Sequence, residues 1–350
     1  MDLNDAGLNQ TIRWGSVDGK EVFLYTIRSA GGLVLRATNY GASVQSLDVT
    51  GRAGVTDVVL GYDSMEGYRH DPYYMGAVVG RSANRIDGGR VVIDGRSYQL
   101  PVTAGGFHHH GGASGFNKKV WELVSLTASA VTFRYVSAHL EEGYPGELDV
   151  RVTYRVEGLT WHVVFEAQTD RPTIVNLTQH AYFNLKGKGD VLDHVIQLPA
   201  KELLAIDERI IPTGDFLAVD TTPFDFREPV SIGARIDDAH PYLASASGYD
   251  HFYVLEREHS GALKKTADVQ VPGGLAMEVL TTEPGVHFYA GNFIADHTPG
   301  KNGLSYGPRS GFCLETHHFP DTPNHRHFPD TILRPGEVFS SETLFRFRHV

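Results

Sequence analysis

The chain has a single cysteine, Cys313, among 350 residues. No internal disulfide can form, which excludes an oxidised small scaffold, and no zinc site can be built from paired cysteines. Long apolar runs are missing too: nowhere do roughly 18 hydrophobic residues follow one another, the length a spanning helix needs. Met1 to Gln10 shows neither a basic nor an apolar stretch, so no secretion signal is read there. Positive charge is in short supply, with 31 lysines and arginines against 42 acidic residues and a formal net charge of -11. That balance argues against nucleic acid or an anionic membrane as partner. The expected setting is reducing and cytoplasmic. Helix signals are scarce as well: a short turn near residues 63–67 and another at Ser231 to Ile236 are the best on offer.

What the chain does have is turn formers, histidine and alternation. There are 38 glycines, 17 prolines and 18 histidines, and hydrophobic residues make up 41%. Apolar and β-branched runs flank Asp18-Gly19, Asp94-Gly95, Glu157-Gly158 and Pro272-Gly273-Gly274, each of which reads as a hairpin turn that tolerates positive φ. Further strands are expected at Leu33 to Asn39, Val120 to Ser125, Val131 to Val136, Thr173 to Leu177, Phe252 to Leu255, His287 to Ala290 and Leu344 to His349. No period of 20–50 residues repeats, and no linker divides the chain. The expected fold class is all-β: one large antiparallel domain over residues 1–350, with few short helices. Function is expected on the Gly-, Pro- and His-rich loops at 101–118, 185–192, 239–250 and 296–311, or on strand residues facing a cleft between them.

Five segments carry polar groups dense enough to suggest chemistry. Gly80 to Ile86 holds Arg81 and Arg85, either structural ion pairs or a guanidinium fork for hydroxyls. Phe107-His108-His109-His110-Gly111-Gly112 holds three adjacent histidines. On a strand His108 and His110 would share a face and could form a cupin-like metal site, although no carboxylate follows at the right spacing. Asn176 to Leu185 crowds amides around His180 within an apolar pattern, and burying so many polar groups needs partners for each. Asp250 sits at the entry to the strand after Gly248-Tyr249, as a turn residue or as a hydroxyl acceptor. Glu315 follows Phe312-Cys313-Leu314, a half-buried position that suits a general base as well as an edge ion pair.

In this order the segments GRxxNRI, HGG, NLTxHxYFNL, GYDHxF, TTxPGVxFYxGNF and GFCLETxxxPD, over residues 80–321, resemble those of the aldose 1-epimerase (galactose mutarotase) family. The resemblance implies a large β-sandwich with an open cleft. It also implies interconversion of α and β anomers of free aldohexoses such as galactose or glucose, by acid/base ring opening. Carried over, Glu315 matches the general base, His180 the general acid and His110 the second active-site histidine. Arg85 and Asp250 match the residues that hold hydroxyls, with Asn84 and Glu283 as secondary candidates for the substrate shell. No metal and no cofactor are implied, and a monomer or homodimer is expected. The sequence departs from the family pattern at Phe107, His109, Gln179, Ala181 and Glu283, which bears on sugar preference. The rival readings are a non-catalytic sugar-binding module, an epimerase of hexose phosphates, a metal-dependent cupin-like enzyme, and a glycoside hydrolase using Glu315 and Asp250.

Overall fold

The computed structural model describes residues 11–51 and 54–350; the segment read for a leader, Met1 to Gln10, lies outside them. The turn chemistry read from sequence sets the hairpins. Asp18 and Gly19 (φ 49° and 76°) join Thr11–Val17 to Lys20–Arg28, and Asp94 and Gly95 (49° and 78°) join Arg90–Ile93 to Arg96–Gln99. Both pairs take the left-handed conformation that a two-residue hairpin needs in order to match strand twist. Gly158 turns Leu148–Glu157 into Thr160–Thr169, and Pro272 to Gly274 turns Lys264–Gln270 into Leu275–Thr281.

These strands build three main sheets, all of whose pairings are antiparallel. Residues 11–51 and 54–57 form a five-stranded meander. A nine-stranded sheet runs in the order Glu122–Leu126, Ala130–Ser137, Leu148–Glu157, Thr160–Thr169, Phe339–His349, Leu275–Thr281, Lys264–Gln270, Val195–Gln197, Val230–Ser231. A second five-stranded sheet follows the order Pro212–Ala218, Glu202–Ile206, Asp250–Val254, Gly285–Tyr289, Cys313–His317. The three sheets share one apolar cluster that includes Leu35, Phe133, Val152, Trp161, Val286, Phe288 and Leu314. The all-β expectation is met. Among the described residues no helix is long and apolar enough to cross a membrane.

The structure corrects several local expectations. The turn at 63–67 is a short helix, Met65–Arg69, capped by Ser64, while the turn expected within Ser231 to Ile236 is present as the 3₁₀ turn Ile232–Ala234. The loop expected at 239–250 contains the helix Pro241–Ala246, started by Pro241 at its first position and by His240, whose ring accepts from the Tyr242 N–H. Of the strand expected over Thr173 to Leu177 only Thr173–Ile174 forms, paired with Ile332–Leu333, and a separate strand, Thr178–Gln179, follows it and pairs with Val78–Val79. Between them Asn176 spends its amide on the backbone of His318, through both Nδ2 and Oδ1.

Candidate active site

Period-two alternation in the second five-stranded sheet positions one side of a cleft. Val286, Phe288 and Leu314 point into the core, so their neighbours His287 and Glu315 face the other way. His287 and Glu315 lie directly opposite each other in the register of Gly285–Tyr289 with Cys313–His317. Asp250 begins the adjoining strand. The facing wall is a two-stranded ribbon, Arg85–Asp87 with Phe107–His109, in which His109 pairs with Arg85. His180 follows Thr178–Gln179 and completes the floor. The cleft, about 510 Å³, brings together Asn84, Arg85, His109, His110, His180, Asp250, His287 and Glu315, with Tyr74 and Tyr289 among its rings. Phe293, 49% exposed, stands at its mouth.

Two of three adjacent histidines reach this cleft, which strict alternation would not allow. The strand ends at His109, and His110 takes a left-handed φ of 46°, turning its ring to the same side. Gly111 makes the approach possible: a Cβ there would stand 1.7 Å from the Gly80 carbonyl oxygen. His108 points away, bonded to the Pro101 carbonyl at 2.7 Å and to the Tyr144 hydroxyl at 2.7 Å. The shared face imagined for His108 and His110 therefore does not exist. Arg81 is structural, fully buried and donating to Ser137, Ala138, Pro145 and Thr173, which leaves Arg85 as the guanidinium in the cleft.

Asn84, also left-handed at φ 61°, links the site. Its backbone N–H donates to His110 Nδ1 at 3.2 Å, its Nδ2 lies 3.2 Å from His287 Nδ1, and its Oδ1 accepts from the Arg85 backbone at 2.8 Å. His110 therefore carries its proton on Nε2, as a donor. His287 places Nε2 2.6 Å from Asp250 Oδ1, and Arg85 Nη2 lies 3.3 Å from Asp250 Oδ2. Burial works against a charge on Asp250, but the Arg85 guanidinium and the His287 hydrogen bond hold its carboxyl well below the usual carboxylate range.

His180 Nε2 lies 3.6 Å from Glu315 Oε1, and both side chains are buried. Glu315 is thus more enclosed than the half-buried edge position expected from sequence. Burial, reinforced by the nearby charge of Asp250, pushes Glu315 well above the ordinary carboxylate value, with Arg85 opposing. Burial likewise pulls His180 down to about 4, against a backbone hydrogen bond of its own. The separation is that of an ion pair, yet desolvation favours the neutral acid beside the neutral imidazole. Glu315 Oε2 and Arg85 Nε are buried with no hydrogen-bond partner among the described residues, two polar atoms left for a ligand.

Glu283 does not join this group. It is buried at the far end of the sheet, accepting from His318 Nδ1 at 2.6 Å, and it does not line the cleft. That corrects its place in the substrate shell: the polar residue which the same segment delivers is His287, missed from sequence because the strand was read to begin there and not at Gly285. His109, noted in the sequence only as a departure, and Tyr74 were also not assigned.

One donor atom from each of His110, His180 and Glu315 lies within 4.8 Å of the other two, a set that could be read as a metal tripod. The surroundings oppose that reading. A histidine bound to metal through one nitrogen normally donates an N–H from the other to an acceptor, whereas His110 Nδ1 faces the N–H of Asn84.

Comparison with known proteins gives the family. The family model for aldose 1-epimerase matches residues 24–346. The galactose mutarotase of Mus musculus is 44% identical over 313 residues, covering 88% of this chain and 89% of that protein. The aldose 1-epimerase of Escherichia coli (strain K12) is 35% identical over 338 residues, covering 94% and 96%. The crystal structure of galactose 1-epimerase from Lactobacillus acidophilus NCFM superposes with a TM-score of 0.86 at 26% identity, covering 98% of this chain and 99% of that one. The fold is therefore of the galactose-mutarotase type, and the chain belongs to the aldose 1-epimerase family.

Proposed function

We propose that the protein is an isomerase, an aldose 1-epimerase interconverting the α and β anomers of free aldohexoses such as D-galactose and D-glucose. The observation that carries this reading is the buried pair His180 and Glu315, 3.6 Å apart and facing a hydroxyl clamp made of Arg85 and Asp250. Opening a cyclic hemiacetal needs a base for the C1 hydroxyl proton and an acid for the ring oxygen, two oxygens on one carbon. Starting as carboxylate and imidazolium, Glu315 takes the first proton and His180 gives the second. The pair then stands as neutral acid and neutral imidazole, the form that burial favours. After rotation about C1–C2 the same groups reverse roles, Glu315 returning a proton to the aldehyde oxygen and His180 accepting one from the ring hydroxyl.

A single proton is shared by the pair in either state, so the reaction runs both ways without outside donors or acceptors. His110, holding its proton on Nε2, donates a hydrogen bond to an oxygen of the reacting hemiacetal and stabilises developing charge. Arg85 and Asp250 hold hydroxyls away from C1 and leave the aldehyde free to turn. Neither a metal nor a redox group has a part in this scheme, since only protons move.

The rival readings fare less well. Among the described residues Arg85 is the one lysine or arginine lining the cleft, and it is paired with Asp250, so they offer a hexose phosphate no free cation. In a glycoside hydrolase Asp250 would have to serve as nucleophile, base or acid at the scissile bond, but its charge is tied to His287 and Arg85, which suits an acceptor of hydroxyls better than a proton carrier. A reducing, cytoplasmic location and a monomeric or homodimeric state complete the proposal.

Polarimetry on freshly dissolved α-D-galactose and α-D-glucose tests it. The reading predicts that catalytic amounts of protein hasten the approach to anomeric equilibrium. Folded protein without effect on either sugar, nor on a wider aldose panel, would leave the binding-module reading.

A further inference from the structure

The mechanism gives His109 no part, although it lines the cleft. It stands opposite Arg85 in the ribbon formed by residues 85–87 and 107–109. Phe107, two residues away on the same face, carries the Arg85 guanidinium over its ring at 5.6 Å. The His109 ring packs against aromatic neighbours: Phe107 edge-on at 5.8 Å, Tyr74 edge-on at 5.9 Å and His110 at 4.0 Å. Among the described residues neither of its nitrogens has a hydrogen-bond partner. The side chain is only partly covered, so a ligand in the cleft can reach it. A polar ring fixed in orientation on three sides with its polar atoms left unused is built to contact something outside the chain.

The chemistry of that contact follows from the surroundings. Burial, and next to it the charge of Arg85, keep His109 well below its ordinary value, so it presents one donor and one acceptor. A hydroxyl group is the partner that can answer either one. Of the other charges that act on His109, Asp250 raises its pKa and His180 and His108 lower it.

We propose that His109 is a specificity-determining residue: it hydrogen-bonds one hydroxyl of the aldose, beside the hydroxyl held by Arg85, and so discriminates between sugars that differ at that carbon. This rests on the epimerase reading above. A site built to bond a hydroxyl discriminates strongly against a sugar lacking it, because its own polar group is then left unpaired. Leucine at this position would keep much of the packing against Phe107 and Tyr74 and lose the polar contact.

The test compares the unaltered protein with His109→Leu and His109→Gln on galactose, glucose and their 2-, 3-, 4- and 6-deoxy forms, by anomeric exchange. The expected result is a loss of about tenfold or more in kcat/KM for the better parent sugar in His109→Leu, carried mainly by KM. For one deoxy sugar the loss should vanish, and His109→Gln, which retains a donor and an acceptor, should recover part of the parent activity. An equal loss on every sugar would make His109 a packing residue, and no loss on any would make it a bystander. Either overturns the proposal. If the unaltered protein were inactive on the whole panel, the epimerase reading would fail, and this inference with it.

Discussion

His287 Nε2 lies 2.6 Å from Asp250 Oδ1 while its Nδ1 meets the Asn84 amide at 3.2 Å. One imidazole thus joins the proposed hydroxyl clamp to the residue that sets the tautomer of His110. In the proposed function, substrate binding and the orientation of a catalytic donor share one chain of hydrogen bonds.

Asp250→Asn tests the clamp. The variant loses the ion pair to Arg85 and turns an acceptor of the His287 N–H into an amide. KM should rise about tenfold or more while kcat falls less. The charge of Asp250 also helps to raise Glu315, so its removal should move the limb of the pH–rate profile that reports Glu315 to lower pH. A change confined to kcat, with KM and the pH limb unmoved, would contradict the clamp.

Gly111 is a steric necessity for the cleft. Its φ is 85°, and a Cβ would stand 1.7 Å from the Gly80 carbonyl oxygen. Gly111→Ala should lower both Tm and activity, because the clash displaces the turn that presents His110. Gly95→Ala is the control: φ is 78° with nothing within 4 Å, so it should cost about 1 kcal/mol and spare turnover. Thermal melts and rates on the two variants separate strain from crowding. Equal behaviour of the pair would refute the crowding argument.

The pair Glu283 and His318 makes a pH prediction about stability. Burial opposes charge on both, yet the partner prevails: His318 is raised above its ordinary 6.5 and Glu283 lowered below 4.5. The contribution of the raised histidine is fully present below pH 6.5 and fades as pH climbs through its folded value. That of the lowered carboxylate is fully present above pH 4.5 and fades as pH drops through its folded value. Glu283→Gln should therefore destabilise most near pH ~5.5, with the gap narrowing towards pH ~8.5. It should leave KM unchanged, since Glu283 does not line the cleft. Melting curves at the two pH values check this, and a gap of equal size at both would contradict it.

The limits of sequence reading are visible in particular residues. Hairpins at Asp18-Gly19 and Asp94-Gly95 were legible because two-residue turns demand positive φ. Glu315, His180, His110, Arg85 and Asp250 were legible through their ordered segments, and the fold brings all five to one cleft. His109 was not, because strict alternation admits only one of His109 and His110 to the cleft, and the left-handed turn at His110 that admits both has no periodicity to announce it. Glu283 and His287 sit four residues apart in one segment. Only knowing that the strand starts at Gly285, with Val286 and Phe288 inward, shows that His287 is the one in the cleft. The helix Pro241–Ala246 is six residues long, too short for a 3.6-residue pattern to stand out.

The central claim is that Glu315 and His180 move the protons. Exchange between the α and β anomeric signals of equilibrated galactose, followed by magnetisation-transfer NMR, measures that step under equilibrium conditions. Glu315→Gln and His180→Asn should each slow exchange by about 10²–10⁴-fold while retaining the fold by circular dichroism, each having lost one proton carrier. Near-normal exchange in either variant would contradict the account.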